Sequence, residues 1–408
     1  MINLDSTDQC RENFVQDPFI DAATASDLLG INRASLYAYV SRGLIRTIEA
    51  PDDPRRRLYN SHDIDQLKKN KSLGKRPKDV AASTLDWGLP VLPSNLTLIH
   101  NGHLFYRGHD AVTLAESKTL EDVARLLWNC GDENPFTDAA EPAWDASLLG
   151  LTTDLPMTER CKALLCFVDA GRMTAWQRNK RRLWPGAATL LRSMTAAASN
   201  SQPSSLPAHL HLARAWKIDE ARADILRSAL VLLADHELNA SAFATRVVAS
   251  TGASLGACID AGLSALSGPL HGGMTSLVEL LFDEIEAAAD PETVVETRLR
   301  RGDGLPGFDH PLYPEGDPRA ATLLARLKPH PTRQALIDTV ADTTGKLPTI
   351  DVALVSLRRE LNLPPGAALS LFAIGRTVGW LAHAFEQFSD NRLIRPRARY
   401  EGPEPINR

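Results

Sequence analysis

LSALSGPLHGGMTSLVELL, residues 263–281, is the stretch on which the reading of this chain turns. Gly268 and Pro269 end one element, and an amphipathic helix begins just beyond Gly273. His271 lies between them, at the mouth of that helix, where Gly272 and Gly273 let the backbone approach closely. A lone histidine on an apolar element is more often a satisfied core residue than a catalyst. A chemical role for His271 therefore needs company from other polar residues set into apolar or glycine-rich stretches.

Four such stretches exist. LLADHELNASAFATRVV (232–248) puts Asp235, His236, Glu237 and Asn239 at the end of a long apolar helix. GDGLPGFDHPLYPEGDPRA (302–320) holds His310 in a loop punctuated by Gly and Pro, followed by Arg319. KLPTIDVALVSL (346–357) places Asp351 at a helix entry, where it also suits a cap. FAIGRTVGW (372–380) inserts Arg376 into an apolar helix; a buried arginine wants a carboxylate, and any structural Asp or Glu serves. As a set they suit carbon–carbon bond formation at a carboxylate-bearing substrate, with a base for a proton alpha to a carbonyl, donors for the enolate and arginines for the acids. The competing metal reading fails on spacing, since no His-x-x-x-His or His-x-x-Glu-His pair shares a helix face, and no metal is expected. His100, His103, His109, His209 and His211 fall in turn-like or variable-looking stretches and are expected to be structural.

At 408 residues the chain has room for two or three domains. A hydrophobic content of 44% and a net charge of −5 describe an ordinary globular protein and give no global sign of a nucleic-acid partner. Five cysteines, odd in number and without a Cys-x-x-Cys, make a disulfide framework or zinc site improbable. A polar, acidic start and the lack of a run of about 18 apolar residues predict neither export nor a membrane span, and a cytoplasmic setting is expected.

The first eighty residues differ in character. Residues 1–16 are expected to be loosely ordered. FIDAATASDLLGINRASLYAYVSRGLI (19–45) predicts a helix from about Ala22 to Leu29, a turn at Gly30, an Asn32 cap, a second helix through Val40 and a stop at Gly43. A Pro-Asp-Asp-Pro tip between strand-like flanks follows, then a third helix capped by Ser61. From Arg33 to Lys78 there are 12 Lys or Arg against 5 Asp or Glu. Residues 17–70 resemble the winged helix-turn-helix of the MerR family, with Tyr37, Tyr39 and the RGLI segment as matching features. The resemblance implies DNA contacts by Arg33, Tyr37, Arg42, Arg55, Arg56 and Arg57, with Arg46 beside them; a solvated basic face or a helical docking module is the alternative. Residues 71–84 read as a Lys-rich linker.

From residue 85 the pattern is mainly helical, with two strand-like runs around Asn101-Gly102 and surface loops at 131–145 and 196–208. The stretches DHELNASAFATRVVAST, LSGPLHGG, GFDHPLYPEGDPRA, GRTVGWLAHAFEQ and RLIRPRARYEG, with LFYRGHDAVTLAESKTLEDVARLLWNCG before them, resemble citrate synthase in order over residues 85–408. The resemblance implies a mainly α-helical homodimer whose large and small domains, the small one at about 225–330, close over the substrates. It implies no cofactor beyond acetyl-CoA as co-substrate. Asp351 takes the family's base position, His271 that of the enolate stabiliser, and His310 that of the acid at the oxaloacetate carbonyl. His236, Arg319 and Arg376 take the carboxylate-binding positions, and Arg395 that of an arginine reaching into the partner's site. The helix N-terminus is expected to keep His271 neutral.

The chain departs from the family pattern in four places. Met274-Thr275 replaces the usual Ala-Asn after His-Gly-Gly, and Asp309 replaces a Gly, which predicts a more readily protonated His310 if the carboxylate faces it. Pro314 stands where a basic residue often meets CoA phosphate, and DVALV replaces a DFYSG-type run at Asp351. Oxaloacetate condensation with acetyl-CoA to citrate and CoA, the entry step of the tricarboxylic acid cycle, is the expectation. Propionyl-CoA giving 2-methylcitrate is a variant, and a DNA-binding regulator that uses this body as a ligand sensor is the alternative.

Overall fold

The structure, a computed structural model, describes residues 19–41, 44–50, 53–61, 63–65, 67–68, 92–139, 143–168, 177, 179–288, 290–398 and 400–403, without the side chains of residues 54 and 55. The segments expected at 1–16 and 71–84, Arg42 and the side chain of Arg55 lie outside the described residues. The chain divides into two compact units between Pro93 and Ser94.

In the first unit, β1 (Phe19–Ile20) leads into α1 (Ala22–Leu29), which Asp21 caps by accepting from the amides of Ala23 and Thr24. Gly30 ends α1 in the left-handed region, φ 58°, and Asn32 Oδ1 accepts from the Ser35 amide at 2.8 Å to start α2 (Arg33–Ser41). The hairpin of β2 (Thr47–Ala50) and β3 (Asp53–Asn60) completes an antiparallel sheet of order β1-β3-β2. Ala25, Leu29, Leu36, Ile45, Tyr59, Ile64 and Leu67 close a small core of their own.

The second unit opens with β4 (Thr97–His100), β5 (His103–Tyr106) and β6 (His109–Asp110) in one antiparallel sheet. Asn101 and Gly102 both carry positive φ, the hairpin turn that an Asn-Gly pair favours. Helices follow: α3 (Ala111–Ser117), α4 (Leu120–Trp128), α5 (Ala146–Thr152), α6 (Met157–Leu165), α7 (Lys180–Ala198), α8 (Ala208–Ala215) and α9 (Ala223–Leu232). Next come α10 (Ala240–Ser250), α11 (Leu255–Leu266), α12 (Met274–Ala288) and α13 (Pro291–Arg301). The last are α14 (Pro318–Leu324), α15 (Pro331–Thr344), α16 (Ile350–Glu360) and α17 (Ala367–Asp390).

Helix α17 is the axis of this unit and packs on α4, α7, α9, α10 and α11. It is long and apolar enough to cross a membrane by length and composition, yet 94% of its apolar window is buried inside the fold. Two glycines one turn apart let a neighbouring backbone reach it. A Cβ on Gly375 would lie 2.6 Å from Leu233 Cβ; one on Gly379 would overlap Asp235 Oδ1 and come within 2.6 Å of the Ala234 carbonyl. The same loop is held from its other side by Tyr106, whose hydroxyl donates to the Val231 and Leu232 carbonyls at 3.1 Å each, and by Thr97 Oγ1, which donates to Asp235 Oδ2 at 2.5 Å. This close approach brings His236 beside the middle of α17, where Arg376 sits. A methyl group at Gly379 is expected to force the loop away and to cost about 1–3 kcal/mol or more. Urea unfolding of Gly379→Ala should show a lower midpoint; an unchanged midpoint would mean the loop tolerates displacement.

Candidate active site

His271 lies in the turn between α11 and α12, and the glycines after it do what the sequence suggested. A Cβ at Gly272 would meet the Leu266 carbonyl at 2.6 Å, and one at Gly273 the Gly268 carbonyl at 2.8 Å. The imidazole Nε2 is 2.9 Å from Ser241 Oγ, at the first turn of α10. Ser241 Oγ also accepts from Trp380 Nε1 at 3.1 Å and lies 2.7 Å from Asn239 Oδ1. The single hydroxyl proton of Ser241 thus has two acceptors in reach. Asn239 Oδ1 is already supplied by the amides of Ser241 and Ala242 as the α10 cap, whereas His271 Nε2 has Ser241 as its partner. Donation to His271 would leave its remaining N–H on Nδ1.

His236, His310 and Tyr313 form a second group. The His236 and His310 rings are 5.2 Å apart edge to face, and Tyr313 is 5.6 Å from one and 5.0 Å from the other. His310 Nδ1 accepts from the Leu312 amide at 3.2 Å, which puts the N–H of a neutral ring on Nε2. Arg319 lies with its guanidinium 5.3 Å over the Tyr313 ring and pairs in a fork with Asp317, Nε to Oδ1 at 2.9 Å and Nη2 to Oδ2 at 2.8 Å. Both side chains are buried. The sequence reading asked only for some carboxylate near a buried arginine; Asp317, two residues before Arg319 and the cap of α14, is the one it missed.

Asp351 is the second residue of α16, so it is not the cap; Thr349 takes that position. Thr349 Oγ1 donates to Asp351 Oδ2 at 3.2 Å, while Oδ1 is buried and has no hydrogen-bond partner. Asp317 Oδ2 accepts from the Ile350 amide at 3.0 Å and so ties the start of α16 to the Arg319 loop. Gly307, φ 83°, fits between α12 and α16, where a Cβ would meet Val278 and Val352 methyls at 2.6 and 2.7 Å. Arg376 is 1% exposed, and its Nε and Nη1 are buried without an acceptor. Its guanidinium lies 5.1 Å over the Phe372 ring, whose edge meets His271 at 6.1 Å. The chain therefore runs from His271 through Phe372 and Arg376 to His236, His310, Arg319 and Asp351.

Burial and the two arginines set the charges. Burial first and Arg376 second lower His271 to about 4, which keeps it neutral. Burial and Arg319 lower His310 to about 4 against the opposing pull of Asp317 and Asp309. Asp309 thus pulls His310 in the expected direction but is outweighed, and at φ 77° it also pairs with Lys346 at 3.4 Å. His236 is held well below its usual range by burial, Arg319, Arg376 and the other two histidines. Burial raises Asp351 to about 6, with Arg319 and Thr349 limiting the rise. A cavity of about 250 Å³ opens beside this cluster, lined by Asp309, His310, Tyr313, Lys346 and Thr349 among others.

Arg395 is exposed in the segment after α17. In the N-terminal unit Arg33, Tyr37, Arg56 and Arg57 are exposed, Tyr37 by 56%. Arg46 is instead committed to Asp63, which accepts from its backbone amide at 2.8 Å and from its guanidinium at 3.0 and 2.8 Å. Arg57 donates to Thr47 Oγ1 at 3.3 Å.

The Asp317–Arg319 pair yields a stability test. Burial would raise the Asp317 carboxyl, but Arg319 and the Ile350 amide outweigh it and leave it lowered. Its stabilisation is therefore present above the usual carboxylate range and lost as the pH falls through the lowered value. Asp317→Asn, which leaves Arg319 buried and unpaired, should cost about 3–5 kcal/mol at neutral pH. A thermal midpoint equal to wild type would show that the pair is not needed to hold the loop.

The sequence profile described as citrate synthase, C-terminal domain, matches residues 84–397. A citrate synthase of Haloferax volcanii is 29% identical over 362 residues, covering 78% of this chain and 96% of its own length. A 2-methylcitrate synthase of Mycobacterium tuberculosis is 28% identical over 339 residues, covering 74% of this chain and 85% of its own. Among solved structures, the ternary complex of Thermoplasma acidophilum citrate synthase with carboxymethyl coenzyme A and oxaloacetate is similar to this chain, with a TM-score of 0.67, 26% identity and coverage of 78% of this chain and 95% of that one. The match takes in well over half of the sequence, including all the catalytic candidates, and the chain belongs to the citrate synthase family of condensing transferases.

Proposed function

We propose that the second unit condenses oxaloacetate with acetyl-CoA and hydrolyses the resulting thioester to citrate and CoA. The observation that carries this reading is that Asp351 Oδ1 and the Nε and Nη1 of Arg376, all buried in this cluster, have no hydrogen-bond partner among the described residues. Buried polar atoms left unsatisfied in a folded protein cost stability and point to a ligand that completes them. Asp351 takes a proton from the methyl group of acetyl-CoA, and His271 Nδ1–H donates to the thioester oxygen as the enolate forms. The enolate carbon attacks the keto carbon of oxaloacetate, and His310 Nε2–H supplies the proton to the new alkoxide. Arg319, Arg376 and His236 hold the carboxylates, where neutral histidines add donors without adding charge. Water then cleaves the thioester and CoA leaves.

Several parts of the reading extend beyond these contacts. A small domain at about 225–330 closes over the larger one, and Arg395 completes the site of a second copy in a homodimer. The presence of 2-methylcitrate synthases among the relatives supports propionyl-CoA as a competing acyl donor. Thiol release should depend on oxaloacetate and fall at least a thousandfold in Asp351→Asn; competition between the two thioesters fixes the preference. Because the Asp351 carboxyl is raised to about 6, kcat/KM should fall about tenfold per pH unit below that value. His271 and His310, lowered to about 4, stay neutral there and add no second limb above it. Turnover without oxaloacetate dependence, or a profile flat from pH 8 to 5, would remove the assignment of Asp351.

A second activity is favoured by the N-terminal unit, in which two short helices joined at Gly30 precede a hairpin and leave Arg33, Tyr37, Arg56 and Arg57 exposed. The reading is a DNA-binding regulator that uses the enzyme body as its sensor, with Arg42 and Arg55 as further contacts. Fluorescence anisotropy with duplex DNA should show affinity falling steeply with salt, and Arg33→Ala should weaken it. Binding that ignores salt, or none at low salt, would leave the unit as a docking module.

A further inference from the structure

Tyr313 takes no part in the steps above, yet it is 2% exposed and stands at the centre of the histidine and arginine group. Its hydroxyl is 3.0 Å from His236 Nε2. A phenol and a neutral imidazole can each donate or accept, so the distance alone leaves the direction open. The chemistry of the pair decides it. The imidazole nitrogen is a much better acceptor than a phenol oxygen, whose lone pair is drawn into the ring, and the phenol is the better donor. Burial pushes the Tyr313 hydroxyl up to about 12 despite the nearby Arg319, so it keeps its proton. His236, crowded by Arg319 and Arg376, stays neutral and has a single N–H to place. Its Nδ1 has no hydrogen bond among the described residues and is not enclosed like the unpartnered nitrogens of Arg376.

We propose that Tyr313 is a positioning residue: its hydroxyl donates to His236 Nε2, fixes the Nδ1–H form of the ring and so makes His236 a donor toward the oxygens of a dicarboxylic keto acid. With the hydrogen bond reversed, the bare Nδ1 lone pair would face substrate oxygens and repel them. The arrangement parallels the Ser241 contact to His271 Nε2 and the Leu312 amide contact to His310 Nδ1, so that each of the three rings has one nitrogen committed to the protein. The inference rests on the reading of this cluster as the oxaloacetate site.

Nitrogen-15 NMR of histidine-labelled protein reads the ring form without turnover, and calorimetry reads oxaloacetate affinity. Wild type should show His236 protonated at Nδ1, and Tyr313→Phe, which keeps the ring, should shift it toward the Nε2–H form. Oxaloacetate should bind about tenfold more weakly to Tyr313→Phe. In a His236→Asn background the same substitution should bring no further loss, because its effect runs through His236. An Nε2–H form in wild type, or an equal loss in both backgrounds, overturns the role of Tyr313. Wild type that binds no oxaloacetate, whatever its ring form, overturns instead the reading of the site on which the inference rests.

Discussion

The carboxylate of Asp317 serves three groups at once: the guanidinium of Arg319, the Arg319 amide that opens α14, and the Ile350 amide that opens α16. A buried ion pair contributes little stability over a well-packed apolar alternative, but removing one member is costly. Its value here lies in geometry. One carboxylate fixes the loop that carries His310 and Tyr313 against the helix that carries Asp351, and it does so without consuming Asp351 itself. Thr349, the residue between these contacts, then has its hydroxyl free to reach Asp351 Oδ2.

The charges of the site follow from that joint. Arg319 is paired with Asp317, whereas Arg376 has no carboxylate in a hydrogen bond with it among the described residues and keeps its Nε and Nη1 open. Burial first, helped by Arg376 at His271, by Arg319 at His310 and by both at His236, keeps the three histidines neutral, and neutral imidazoles donate without competing for the substrate's charge. Asp351 is raised by the same burial that lowers the histidines, since low polarity disfavours each group's charged form. Unsatisfied guanidinium N–H groups such as those of Arg376 suit an anionic ligand.

Helix α17 shows how ordinary packing rules reach the site. Gly375 and Gly379 have no catalytic role, but they flank Arg376 and admit the backbone of residues 233–235, which sets the direction of His236. Asp235, beside it, is fully buried against His383 at 3.3 Å and Thr97, a polar contact within the core rather than in the site. The departure at Asp309 lines the cavity together with Lys346, and the ion pair between them sits beside His310.

Helix periods, the Asn-Gly hairpin, the glycine-flanked His271 and the identities of the residues now gathered at the site were legible in the sequence, because they depend on spacing within a short stretch and on side-chain chemistry. Asp317 and Tyr313 stood in the quoted loop without a local signal to separate them from capping and packing residues. Asp351 read as well as a cap as a base until the helix placed it two positions beyond its cap, Thr349. The helix position of His271 was legible locally, whereas the burial and the nearness of Arg376 that lower it belong to the assembled core. Arg46 looked like its basic neighbours until Asp63, seventeen residues on, was brought beside it. The sequence by itself determined which groups this protein has and which local element holds each one; only the tertiary structure decided which are paired and which stay open, because pairing depends on distances between segments far apart in the chain and on the water that packing removes.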